Sequence, residues 1–144
     1  MTLKYLLDTN IVSAPVAKTP NAQLVRHLER HAHECVIAAP VWHELNFGVR
    51  RLPAGRRRGA LMTYLEDVVA ASFPILAYEE NAAAWHARER ARLEKQGTPT
   101  PYVDGQIASI AQTNDLVLVT TNADDFFRFE DLEVQDWSRR SRRR

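Results

Sequence analysis

Short apolar runs alternate along this chain with longer stretches whose apolar residues recur every three or four positions. Leu3, Tyr5, Leu6 and Leu7 make the first run, Cys35-Val36-Ile37-Ala38-Ala39 the second and Phe73-Pro74-Ile75-Leu76 the third. Leu116-Val117-Leu118-Val119 is the clearest, β-branched and uninterrupted, and Leu132-Glu133-Val134 reads as a final edge strand. Near-continuous apolar runs of this length, bounded by polar residues or proline, suit strands covered on both faces. Pro74 marks the third as an edge strand or a strand start.

The stretches between them carry the helical period. Ile11 to about Lys18 predicts a short helix interrupted by Pro15, and Pro20 opens another with Leu24, Val25 and Leu28 on one side. Pro40 fits the first turn of a helix whose apolar positions are Val41, Leu45, Val49 and Leu52, with Gly48 on that side allowing close packing. Pro53-Ala54-Gly55 breaks it, and 56–71 is helical again, with Leu61, Tyr64, Leu65, Val68 and Val69 as its stripe. The longest helix runs from Tyr78 to Gln96 and ends at Gly97; the next covers Val103 to Thr113. Ala123 to Phe127 turns into a short helix. Strands alternating with helices predict an α/β fold, a parallel sheet flanked by helices on both faces. Right-handed crossovers then bring every strand's carboxyl end to one rim.

With 144 residues, the chain predicts a single domain over 1–138. No apolar run approaches the roughly 18 residues that span a membrane, and the N-terminus enters a strand without a signal-peptide pattern, so the expected compartment is cytoplasmic. A lone cysteine, Cys35, excludes a disulfide framework and a thiolate zinc site. The net charge of +1 hides an asymmetry: 139–144 hold five of the 19 basic residues, leaving 14 basic against 18 acidic side chains in 1–138. That basic tail reads as disordered. A second cluster, Arg50, Arg51, Arg56, Arg57 and Arg58, surrounds the Pro-Ala-Gly break. Such clusters fit contact with a phosphate backbone and equally a solvated helix face.

Candidate chemistry sits in the acids. Asp8 ends the first strand, with Thr9-Asn10 behind it as helix-starting residues, and Asp124 and Asp125 follow the clearest strand. Glu44 and Asp104 fall in the first turns of helices entered from the same rim; Glu44 lies beside an apolar stripe, where a carboxylate costs energy unless paired. The helix dipole would keep Asp104 ionised and ready for a cation. Each acid alone has a plain structural explanation, as a cap or an amphipathic edge. Together they would repel one another unless a cation compensates, and hard oxygen donors select Mg²⁺ or Mn²⁺. Water held by such an ion is a nucleophile, which points to phosphodiester hydrolysis.

Other constellations are weaker. His27, His31 and His33 lack a further ligand type and read as a solvated helix end. Trp42, Trp85 and Trp137 read as packing. No Gly-rich phosphate loop or nucleophile elbow is present. A receiver-type phosphoacceptor would need an acid pair after the first strand and an Asp ending the third, yet position 8 is a lone acid and Leu76-Ala77-Tyr78 has none.

Leu6-Leu7-Asp8-Thr9-Asn10, Pro40-Val41-Trp42-His43-Glu44-Leu45-x-x-Gly48, Asp104-x-x-Ile107-Ala108 and Val119-Thr120-Thr121-Asn122-x-x-Asp125-Phe126 resemble the four motif blocks of the PIN domain, in order. Their spacing is most similar to the VapC-like ribonuclease toxins of bacterial toxin–antitoxin pairs, over about Leu3 to Trp137. The resemblance implies a five-stranded parallel sheet and an endoribonuclease dependent on Mg²⁺ or Mn²⁺ that cuts tRNA or rRNA. It also implies a homodimer silenced by a cognate antitoxin. Asp8, Glu44 and Asp104 match the family's metal-binding acids. Asp125 matches the fourth, with Asp124 and Asn122 competing for that position. Thr9, Asn10, Thr121, Asn122 and Asp124 are candidates to support those acids by hydrogen bonds, and Thr121 stands where many members carry arginine. A catalytically inactive member acting only as a binding module is the remaining alternative.

Overall fold

The computed structural model describes residues 2–139, so the tail expected to be disordered lies, Arg139 aside, outside the described residues. Five strands form one sheet: β1 (Tyr5–Leu7), β2 (Cys35–Ala38), β3 (Ile75–Leu76), β4 (Val117–Val119) and β5 (Val134–Gln135). Their order is β3-β2-β1-β4-β5 and every pairing is parallel. β1 is the centre, with Leu7 level with Ile37 on one side and Val119 on the other. Leu6 and Leu7 are wholly buried, as a strand covered on both faces requires. β3 and β5 are the edges, in line with Pro74 and with the weak fifth run. A receiver-type sheet has the order 2-1-3-4-5, so this topology excludes that alternative.

The connections follow local chemistry. Asp8 ends β1 and caps α1 (Thr9–Val12), its carboxylate accepting from the Thr9 N–H at 2.8 Å. Pro15 then turns the chain into a 3-10 segment, Ala14–Val16, in place of the longer helix expected. Asn21 caps α2 (Ala22–His31). Pro40 sits in the first turn of α3 (Ala39–Arg50), which buries Val41, Leu45 and Val49. α4 (Arg56–Thr63) continues through a π-helical segment, Tyr64–Val69, into α5 (Ala70–Ser72).

The π segment changes the expected stripe. Leu65 and Val69 stay buried, but the wider turn shifts the phase and leaves Val68 46% exposed. Tyr64 donates to the Val12 carbonyl at 2.6 Å, tying this segment to the end of α1.

α6 (Glu80–Lys95) buries Ala82, His86, Glu89 and Leu93. It ends in a left-handed cap at Gly97 (φ 76°), where the Gly97 and Thr98 N–H groups bond the Glu94 and Leu93 carbonyls at 3.0 and 2.9 Å. α7 (Tyr102–Thr113) packs on α6, burying Ile107, Ala108, Ile110 and Ala111. No described helix is long and apolar enough to cross a membrane.

Two glycines differ from each other in what surrounds them. Gly48 was expected to permit close helix packing, yet a Cβ there meets nothing within 4 Å because it faces an open groove. At Gly105 a Cβ would lie 2.1 Å from His86 Nε2, so α6 and α7 approach only because that side chain is absent. Gly105→Ala should therefore lower the unfolding free energy by about 1–3 kcal/mol through overpacking. Gly48→Ala should raise it by about 0.5–1 kcal/mol by removing a helix-interior glycine. Urea denaturation of both variants beside the parent chain checks the pair.

Candidate active site

Asp8 stands at the point where the chain leaves the central strand and the sheet order reverses direction, between β1 and β4. In open α/β sheets, ligands bind at this switch point. The Asp8 N–H continues the β1–β4 ladder, donating to the Val119 carbonyl at 2.9 Å. That register puts Thr120 opposite Asp8, and the buried Thr120 hydroxyl donates to its second carboxylate oxygen at 2.8 Å. Thr120 Oγ1 also accepts from the Asn122 N–H at 3.0 Å, so one hydroxyl fixes both the carboxylate and the following turn. Sequence alone points to Thr121 as the supporting residue, whereas Thr120 makes the contact. The usable signal was strand adjacency, since two parallel runs ending Leu7-Asp8 and Val119-Thr120 place those polar residues side by side.

Burial raises the Asp8 pKa, hydrogen bonds from Thr120 and the Thr9 N–H pull it back, and the Asp125 charge raises it again; the net shift is upward. Asp104 occupies the first turn of α7, where the helix dipole was expected to keep it ionised. The shift nevertheless runs upward, against the dipole. Burial, then the charges of Asp8 and Asp125, push the Asp104 carboxyl up to about 6. Asp125 lies in the 3-10 turn Ala123–Asp125 after β4 and is exposed. Of the three candidates for the fourth position, it is Asp125 whose charge reaches Asp8 and Asp104.

Glu44 is exposed on α3, not tucked beside its stripe. It lies where two grooves meet. One, of about 370 Å³, runs past Thr9, Gly48, Arg57 and Tyr64; the other, of similar volume, passes His43, Tyr78, Val103 and Gln106. Asn10 Oδ1, beside Asp8, is buried with no hydrogen-bond partner in the structure. Thr121 is half-buried, and Asn122 and Asp124 are exposed.

Arg50, Arg51, Arg56 and Arg57 are exposed and only Arg57 lines the groove at Glu44, while Arg58 is half-buried with its Nε enclosed and unpartnered. Among the described residues, no three acidic, histidine or cysteine side chains are arranged as a ready-made metal cage.

Two supports were not legible in the sequence. Glu89 and Arg92 look like a solvated pair on an Ala-rich helix, yet Glu89 is buried, paired with Arg92 at 2.7 and 2.9 Å, and accepts from the Glu130 N–H at 2.7 Å. Arg92 also donates to the Arg128 carbonyl at 2.8 Å. With Phe126 and Phe129 buried, these contacts pin the segment that follows Asp125. His86, buried and with its pKa lowered by desolvation and by Arg90, packs on Gly105 and shares a 2.8 Å hydrogen bond with Tyr78.

His27 and His31 differ from the expected solvated helix end as well. They pack against Trp137, with ring centroids 5.5 Å away for each, and no metal role is needed to explain them. Burial pushes the Cys35 thiol up to about 12, which leaves it unreactive.

A doubly wound α/β sheet with its carboxylates gathered at the switch point defines a class of proteins. The chain belongs to the PIN domain family, whose sequence profile matches residues 5–132, and within it to the VapC-like members. It is 31% identical to Toxin FitB of Neisseria gonorrhoeae over 92% of this chain and 97% of that protein. It is 30% identical to the tRNA(fMet)-specific endonuclease VapC of Shigella flexneri over 94% and 99% of the two chains. The structure of FitAB bound to an IR36 DNA fragment matches with a TM-score of 0.89 at 26% identity, covering 97% of this chain and 99% of that one.

The raised Asp104 pKa has a stability consequence of definite sign. Folding penalises its ionised form, so the penalty is absent below the ordinary value of 3.8, grows as pH rises through about 6 and is complete above it. Without divalent ions, Asp104→Asn should raise the urea midpoint over the parent chain at about pH 7.5, and the gain should shrink towards pH 5. Equal midpoint differences at both pH values would contradict the assignment.

Proposed function

We propose that this protein is a metal-dependent endoribonuclease, acting in the cytoplasm as the toxin of a toxin–antitoxin pair. One observation carries the reading: the fold brings Asp8 at the end of β1, Asp125 after β4 and Asp104 in the first turn of α7 to one rim, where burial and then the charges of Asp8 and Asp125 raise the Asp104 pKa. Asp8, Asp104 and Asp125, all hard oxygen donors at one rim, fit a site for Mg²⁺ or Mn²⁺. The missing cage is compatible with Mg²⁺, which takes one or two carboxylates and keeps its waters. The unpartnered Asn10 oxygen is an acceptor left over for such a water.

Asp8 and Asp104 would be the principal ligands and Asp125 the next, with Thr120 and the Thr9 N–H holding Asp8 at a fixed angle. A divalent cation bound there supplies a more acidic water and neutralises charge on a phosphate. Glu44, exposed and at the meeting of two grooves, accepts the proton that the attacking water gives up. Arg57, in the same groove, is placed to contact an RNA phosphate, and Arg50, Arg51, Arg56 and Arg58 extend that basic face. The name of the tRNA(fMet)-specific endonuclease supports a tRNA substrate and that of Toxin FitB the toxin role; an rRNA substrate, a cognate antitoxin as partner and a homodimer as the working form complete the proposal.

Purified chain incubated with structured RNA should cleave it with Mg²⁺ or Mn²⁺ and not with EDTA. Asp8→Asn and Asp104→Asn should each slow cleavage by roughly 100- to 1000-fold, the scale for removing one preorganised electrostatic group. Thr120→Val should cost about 10- to 100-fold, as loss of an orienting hydrogen bond to a ligand does. Cleavage that survives both chelation and the two Asp substitutions would sink the mechanism, and a chain that never cleaves would return the binding-only alternative.

A further inference from the structure

Residues 120–133 lead from β4 to β5, and within them only Ala123–Asp125 is helical, a single 3-10 turn. Asp125 ends that turn. The three rim acids are therefore held by different means. Asp8 accepts from the Thr9 N–H and the Thr120 hydroxyl, and Asp104 rides on α7. Asp125 is exposed and belongs to no strand or long helix, so the backbone on either side sets its place. Before it, the Asn122 N–H bonds the Thr120 hydroxyl oxygen at 3.0 Å. After it, Phe126 and Phe129 are buried, with ring centroids 6.3 Å apart.

The second anchor after Asp125 is a charged pair in an apolar stripe. α6 turns Ala82, His86, Glu89 and Leu93 inward, and Glu89 keeps only 6% of its exposure. Arg92 donates to it from Nε at 2.7 Å and from Nη2 at 2.9 Å. Both side chains then reach one stretch of main chain. Glu89 Oε1 accepts from the Glu130 N–H at 2.7 Å, and Arg92 Nη2 donates to the Arg128 carbonyl at 2.8 Å. The two backbone groups flank the buried Phe129, and the pair satisfies them as a neighbouring strand would.

Stability alone does not call for this arrangement. A buried ion pair gains little or nothing over well-packed apolar side chains of similar volume. A leucine at 89 would complete the stripe of α6. What it could not do is bind the main chain at 128–130, just beyond Asp125.

We propose that Glu89, acting with Arg92, is a positioning residue for Asp125: it fixes the main chain beyond that turn and so sets how tightly the rim holds a divalent cation. With residues 128–130 released, the 3-10 turn is free to carry its carboxylate away from Asp8 and Asp104. This rests on the metal reading above and adds which residues outside the rim govern it.

The test reads binding, not cleavage. Full-length protein is titrated with Mn²⁺, and free Mn²⁺ is followed by electron paramagnetic resonance. Glu89→Gln and Arg92→Gln should each weaken binding by roughly 10- to 100-fold, the range for a group that orients a ligand. Arg92→Lys, which keeps the charge and loses the fork, should fall between Arg92→Gln and the parent. Glu89→Leu combined with Arg92→Met should keep the parent's urea midpoint and still lose affinity. Adding Glu89→Gln to Asp125→Asn should cost nothing further, because Glu89 acts through Asp125. Hydrogen exchange of metal-free protein gives a second readout: Glu89→Gln should speed exchange in 123–130 and leave β1 and α7 at the parent's rate.

Unchanged affinity in Glu89→Gln and Arg92→Gln would overturn the proposal. So would an equal further loss when Glu89→Gln is added to Asp125→Asn, since the pair would then act on the whole molecule. Where a variant binds Mn²⁺ too weakly to titrate, unchanged exchange in 123–130 would overturn it instead. A parent chain that takes up no Mn²⁺, or takes it up as tightly after Asp8→Asn, would defeat the metal reading itself. A parent that binds through Asp8 and is indifferent to Glu89 would defeat only this inference.

Discussion

The constraint on which the site depends is the burial of a carboxylate at the end of the most enclosed strand. Asp8 retains 9% of its exposure, directly after two leucines that retain none. An ionised group in such a place is costly unless hydrogen-bonded. Two bonds from two different elements answer that cost: the Thr9 N–H from the helix that Asp8 itself starts, and the Thr120 hydroxyl from the end of β4. The second exists only because β1 and β4 are neighbours in parallel register, with Leu7 level with Val119. The sheet order and the local chemistry of Asp8 are thus one arrangement. A strand inserted between β1 and β4 would leave the carboxylate half-satisfied.

Asp104 shows which electrostatic effect prevails at the rim. The N-terminus of α7 favours a negative charge by about 0.3–1 kcal/mol, which is less than one pKa unit downward. Asp104 instead moves up from 3.8 to about 6. Burial and the facing carboxylates therefore outweigh the dipole by a wide margin. The ionised form of a group so placed is disfavoured relative to a free carboxylate, and a nearby positive charge would offset that cost. The surroundings can sustain it because Gly105 and His86 lock α7 against α6 and prevent the helix from shifting away.

Periodicity sufficed for much of this. The runs Leu3–Leu7, Cys35–Ala39, Phe73–Leu76 and Leu116–Val119 each contain a strand, Leu132–Val134 shares only Val134 with β5, and the helix that follows each proline or polar cap begins within a few residues of its expected start. Composition could not reveal contacts that depend on three dimensions. The π segment at Tyr64–Val69 is invisible to a 3.6-residue template, so Val68 was placed on the wrong side. Glu89 looked exposed because its partners Arg92 and Glu130 come from its own helix and from a loop some forty residues on. Asp8, Asp104 and Asp125 fall, as the alternation of elements predicts, at strand ends and a helix start that share a rim. Thr120 was missed because its importance lies in register, which no single segment displays.

The same acids pose a problem for any polyanion that approaches them. Carboxylates at one rim repel phosphate, and residues 1–138 are negative overall, with 14 basic against 18 acidic side chains. Screening confines that repulsion to about 8 Å at physiological salt. Attraction must therefore come from groups on the margin of this zone, close enough to align a strand and not so close that they neutralise the acids. Arg57, exposed in the groove that Glu44 also lines, stands on that margin, and it forms no described salt bridge with Asp8, Glu44, Asp104 or Asp125. Keeping a cationic side chain apart from the carboxylates lets both kinds of charge persist on one small surface.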